Sequence, residues 1–261
     1  MTNRPLFVLV AALLLLSVPA LAGGPFAADY AGPIEKAHGL DAWNAQSAFE
    51  SGITVHFGGQ KALDGKLITD PPGGKIRLEA VDGTVVVLNP EGVFQSPADS
   101  AFQGARFHIL TWPYFIAAPM KLRDPGTHLK DLGKLPLNDG EKMPAARLTF
   151  DDGVGDTPDD WYVLYRDGKN RLAGMAYIVT FGKDLEAAEK EPHAITYHDF
   201  QDVDGVAVPT RWQFWNWSQE KGIEGDPIGE VELRDPRFVQ PGPDTFATPA
   251  GANEVPAPPQ G

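Results

Sequence analysis

The chain has 261 residues, with 22 Lys and Arg against 35 Asp and Glu, for a formal charge of −13. That balance excludes nucleic acid, whose phosphates it would repel, and electrostatic docking on anionic lipid. Cysteine is absent, which excludes disulfides and thiol catalysis and obliges an exported form to rely on its own core.

The amino terminus reads as an export signal. Arg4 supplies positive charge, Leu6 to Leu16 is an apolar run too short to span a bilayer, and Ala20-Leu21-Ala22 is a small-residue cleavage site. Residues 1–22 are therefore expected to be removed, leaving Gly23 first and taking the charge from −13 to −14 with the loss of Arg4. No cysteine follows to carry a lipid, so the mature chain is expected in the periplasm without stable membrane insertion.

Pro33 suits a first helical turn. Ile34, Ala37, Ala42 and Trp43 give a short apolar side, and Gly39 divides the segment into two short helices. His38 has no partner motif and reads as structural. From Phe49 the pattern becomes strand-like. Ile53, Val55 and Phe57 alternate with polar residues, and further strands are expected at 61–69, 75–81 and 84–89. Pro71-Pro72-Gly73-Gly74 and Asp82-Gly83 mark turns between them. Strands this close, with no helical crossover, specify antiparallel pairing.

Phe102 to Leu122 is aromatic, lacks strand alternation and is interrupted by Pro113 and Pro119. It is expected to form a short helix followed by an extended lid on the sheet. The lid could be a gate over a cavity or a plug that fills it. Asp151 to Asp160 crowds acidic residues around Gly153 and Gly155. Calcium favours such oxygen-rich loops, but the spacing is not that of an EF-hand, and the loop is expected to be a solvated turn.

Trp161 to Arg166 and Arg171 to Phe181 flank Asp167-Gly168-Lys169-Asn170. Ala194 to Val203 and Val206 to Trp217 flank Asp204-Gly205. Both read as hairpins. Alternation directs Trp212 and Phe214 to one face and Trp215 and Trp217 to the other. Two apolar faces imply a core on one side and a partner, lid or ligand cavity on the other.

The run Trp161-Tyr162, Leu164-Tyr165, Arg171-Leu172, Tyr177 and Asp199-Phe200, with Asp204-Gly205-Val206, Val208-Pro209 and Arg211-Trp212, resembles outer-membrane lipoprotein-sorting-like proteins of the LolA/LolB superfamily. The resemblance is firmest over residues 145–235. It implies a mainly β fold: a single curved antiparallel sheet, or half-barrel, with short helices and a lid segment across its concave side. The domain is expected over 23–240. Residues 241–261 form a Pro-rich tail read as disordered, with Phe246 able to pin it to the body.

No Walker or Rossmann pattern, nucleophile elbow or zinc-binding histidine spacing occurs, so no cofactor, metal or catalytic residue is assigned and the chain is not read as an enzyme. The favoured reading is a periplasmic binding or carrier protein for an apolar ligand: an acyl chain, lipid or lipoprotein. The expected lining is Trp112, Tyr114, Phe115, Trp161, Tyr177, Trp212 and Phe214. The alternatives are an envelope interaction module with a filled interior, or a metal-assisted hydrolase using the 151–160 loop.

Overall fold

The computed structural model describes residues 24–138 and 140–257, so the expected export segment and cleavage site lie outside the described residues. In chain order the elements are α1 (Pro25–His38), α2 (Leu40–Asn44), β1 (Ala48–Phe57), β2 (Gln60–Thr69), β3 (Ile76–Ala80), β4 (Val85–Asn89) and β5 (Gly92–Ser96). Then follow α3 (Ala105–Ala117), β6 (Thr127–Pro136), β7 (Lys142–Phe150), β8 (Tyr162–Arg166), β9 (Leu172–Tyr177) and α4 (Leu185–Glu189). The chain ends with β10 (His193–Val203), β11 (Val206–Ser218), β12 (Gly222–Val239) and β13 (Asn253–Glu254). The fold is mainly β: one open antiparallel half-barrel with short helices and a lid across its concave side, as expected.

Strand order is β13-β5-β4-β3-β2-β1-β12-β11-β10-β9-β8-β7-β6. Two meanders, β1 to β5 and β6 to β12, meet at the β1–β12 pair, so β5 lies near one edge and β6 forms the other. Their connection must cross the sheet, and it carries α3. The topology thus places the lid helix over the concave face. Both prolines of β12, Pro227 and Pro236, fall between residues where its register shifts against β11 and β1. A residue without an N–H is tolerated at such irregularities.

Two expectations about helices are corrected. Pro33 is not in a first turn, because the helix already starts at Pro25. A mid-helix proline leaves the carbonyl four residues earlier without its donor. That carbonyl belongs to Asp29, and Arg166 Nη1 donates to it at 3.2 Å. The second correction concerns Pro113, which does not end its helix: α3 runs through it to Ala117. An interior proline costs ~3 kcal/mol. Burial of Ile109, Trp112, Phe115 and Ile116, at roughly 1.5–3 kcal/mol each, outweighs that cost.

Gly39 caps α1 at φ 79°, and a Cβ there would lie 2.1 Å from the Gly205 carbonyl oxygen. Glycine is required because the helix corner touches the β10–β11 turn. Beside it, the His38 ring bridges two strands. Leu172 N–H donates to Nε2 at 3.0 Å, so Nδ1 carries the proton and donates to Ala207 O at 3.0 Å. Arg123 pairs with buried Glu35 through both carboxylate oxygens, tying α1 to the segment after α3.

The main core fills the concave side, from Ile34, Trp43 and Phe49 through Trp112 to Trp212 and Phe214. A smaller cluster lies on the convex side and includes Trp161, Tyr165, Ile178 and Trp217, covered by Leu137 and by Ala188 of α4. The tail differs from the disorder expected of it. Asn253–Glu254 adds a strand to β5, and Asn89 Nδ2 donates to Phe246 O at 3.2 Å.

Candidate functional site

A cavity of about 550 Å³ lies between α3 and the sheet. Two stripes of α3 face two environments. Ala105, His108, Ile109, Trp112 and Ile116, at helical spacing, are buried. Phe107, Leu110, Thr111 and Tyr114, on the adjacent stripe, are half-buried and border the cavity. The sheet contributes Phe57, Ile76, Tyr162, Tyr177 and Phe214, and Val179 and Phe181 lie beyond β9. The enclosure is therefore chiefly apolar and aromatic, suited to a hydrocarbon chain.

The lid helix is anchored rather than loose. Trp112 is 2 % exposed, and its Nε1–H donates to His108 Nδ1 at 2.8 Å. Its ring packs edge-on against Phe107, Phe115 and Phe214. Burial lowers the His108 pKa to about 4, so His108 is a neutral acceptor for the indole. Tyr197 OH donates to Phe115 O at 3.1 Å. At the start of α3, Arg106 grips Asp156 through two nitrogens and donates to Val255 O at 2.9 Å. The acidic loop and the tail thus hold one end of the lid.

Three of the 151–160 carboxylates have separate occupations. Asp151 meets His128 Nε2 on the surface. Asp156 pairs with Arg106. Asp160 is buried and accepts from Thr180 N at 2.7 Å, Thr180 Oγ1 at 2.8 Å and Thr157 Oγ1 at 2.8 Å. Burial raises its pKa, against the opposing pull of the Thr180 hydrogen bonds. Among the described residues, no three His, Cys, Asp or Glu side chains converge as a metal site. The other charged residues at the cavity are Lys121 and Asp124, which pair at 2.9 Å.

Five of the seven residues expected in the lining border this cavity: Trp112, Tyr114, Phe115, Tyr177 and Phe214. Trp161 and Trp212 do not. Trp161 faces the convex side, packs against Trp217 and lies under the Arg147 guanidinium at 4.3 Å. Trp212 is fully buried beneath Phe115 and Tyr197, with Nε1 donating to Pro209 O. Its place is in the core. Among the lining residues not expected from the sequence is Tyr162, the direct partner of Tyr177 across the hairpin. Opposite residues of an antiparallel pair share a face, so Tyr177 implicates Tyr162 and excludes Trp161. The Phe107, Leu110, Thr111, Tyr114 stripe was also available as a helical spacing.

No family model matches this sequence, and no curated protein matches it significantly. Solved structures do match. A LolA superfamily protein from Nitrosomonas europaea superposes with a TM-score of 0.51 at 11% identity, covering 84% of this chain and 97% of its own. A domain described as that of an outer membrane lipoprotein-sorting protein from Vibrio parahaemolyticus gives 0.50 at 11% identity, covering 85% and 97%. The chain has the LolA-superfamily fold.

Proposed function

We propose that this chain is an exported, periplasmic binding or carrier protein that holds an apolar ligand, an acyl chain of a lipid or lipoprotein, between α3 and the sheet. The observation that carries this reading is the aromatic-lined cavity of about 550 Å³. Its size falls within that of small-molecule sites. Fold likeness alone does not assign function, but a superfamily whose named members include lipoprotein-sorting proteins agrees with it.

Native mass spectrometry of the mature chain, with titration of the neutral probe N-phenyl-1-naphthylamine, tests the reading. A lipid-mass adduct and one saturable probe site are expected. Thr111→Trp, which fills the cavity from its half-buried rim, should abolish both. A bare chain with no probe binding, or binding unaffected by Thr111→Trp, would refute it.

A further inference from the structure

Tyr114 on α3, Tyr162 on β8 and Tyr177 on β9 gather at one end of the apolar lining. Ring centroids are 5.4 Å apart for Tyr114–Tyr162 and 6.3 Å for Tyr162–Tyr177. Tyr162 and Tyr177 are 8% and 7% exposed. Buried tyrosine hydroxyls usually find a partner, and others in this protein do. Tyr30 OH donates to Leu164 O at 2.7 Å, Tyr197 OH donates to Phe115 O, and Tyr165 OH accepts from Trp217 Nε1 at 3.0 Å. The hydroxyls of Tyr114, Tyr162 and Tyr177 have no hydrogen-bond partner among the described residues, and none is sealed from the cavity. They are donors without acceptors in a space shaped for hydrocarbon.

The charges beside them select among acceptors. Lys121 is committed to Asp124 and to Pro72 O at 3.0 Å. Arg106, behind the rim, is committed to Asp156 and Val255 O. Asp160 adds a buried carboxylate with no cationic partner among the described residues. An anionic headgroup would therefore meet a rim with a carboxylate in excess and no uncommitted cation. A neutral carbonyl would meet phenolic donors, which burial keeps protonated.

We propose that Tyr114, Tyr162 and Tyr177 form a subsite for the carbonyl oxygen of a neutral acyl ester, and that the cavity discriminates against free fatty acids and other anionic lipids. This specificity rests on the binding reading above and adds the chemical class of the ligand.

The test is displacement of N-phenyl-1-naphthylamine at pH 8 by methyl laurate and by laurate, which share a chain and differ in charge. Wild-type protein should bind the ester at least about tenfold more tightly, the ratio that ~1.4 kcal/mol produces. Tyr162→Phe/Tyr177→Phe keeps both rings and removes two donors. It should weaken methyl laurate about five- to tenfold and narrow the ester-to-laurate ratio, with the urea midpoint reporting that the fold is kept. If the double variant does not fold, Tyr114→Phe on the half-buried face of α3 reports the same loss of a donor. Equal or tighter binding of laurate overturns the proposal. So does an ester affinity that ignores loss of the hydroxyls in a protein that still binds the probe. Failure of wild type to bind probe or ester overturns the cavity reading itself.

Discussion

His38 makes acid stability a direct readout of how α1 is seated. Burial lowers its pKa from 6.5 to about 4, with Arg171 also lowering it and the Ala207 carbonyl opposing. A proton added at Nε2 would face the Leu172 N–H that now donates there, so charging the ring breaks that bond. The unfolded chain binds this proton near pH 6.5 and the folded chain only near 4. The stabilising contribution is therefore complete above about pH 6.5 and is lost as pH falls towards 4. Between pH 7.5 and 4.5 these two values give a loss of about 2.5 kcal/mol. His38→Gln offers an amide donor to Ala207 and an acceptor to Leu172 but cannot titrate. Urea unfolding of both proteins across this range isolates the effect, because His108 and the carboxylates contribute to each. Wild type should lose about 2.5 kcal/mol more than the variant. Parallel losses would refute the assignment of a neutral, bridging His38.

Four further outcomes are expected. Trp161→Phe removes a buried N–H that has no partner among the described residues; it should change stability by less than ~1 kcal/mol and leave probe binding intact. Trp112→Phe strands His108 Nδ1 and should cost ~1–3 kcal/mol, read from the same urea curves. Asp156→Asn leaves the part-buried Arg106 with a neutral acceptor and should cost ~1–3 kcal/mol, and hydrogen exchange at the start of α3 and probe uptake should both accelerate; unchanged exchange would mean that the latch is elsewhere. N-terminal sequencing of the exported protein should return Gly23, and Met1 would contradict the export reading.

The strands flanked by Asp-Gly turns were legible because alternation and turn chemistry agree there. Asp204 and Gly205 both take positive φ, 50° and 85°, as a tight hairpin turn requires. β5, β6, β7, β12 and β13 have no counterpart among the expected strands. β6 places Leu129, Leu132 and Leu135 at threes, a helical spacing, on an edge strand whose register shifts near Gly133. β12 contains Pro227 and Pro236, yet it lies mid-sheet because both sit at irregularities. Such irregularities arise from pairing across long sequence separations, which local pattern does not reveal. The site was half legible for a related reason. Aromatic content pointed to α3, β9 and β11, but separating Trp161 from Tyr162 depends on which side of the sheet each faces. The hydroxyl cluster needed three separate elements to meet.

The most direct measurement is a crystal structure of the mature protein with methyl 12-bromododecanoate, the bromine located by its anomalous scattering. One strong peak is expected within the space bounded by Leu110, Tyr114, Tyr162 and Tyr177, with Thr111→Trp abolishing it. A peak on the convex face beside Trp161 and Trp217, or none at saturating ester, would contradict it.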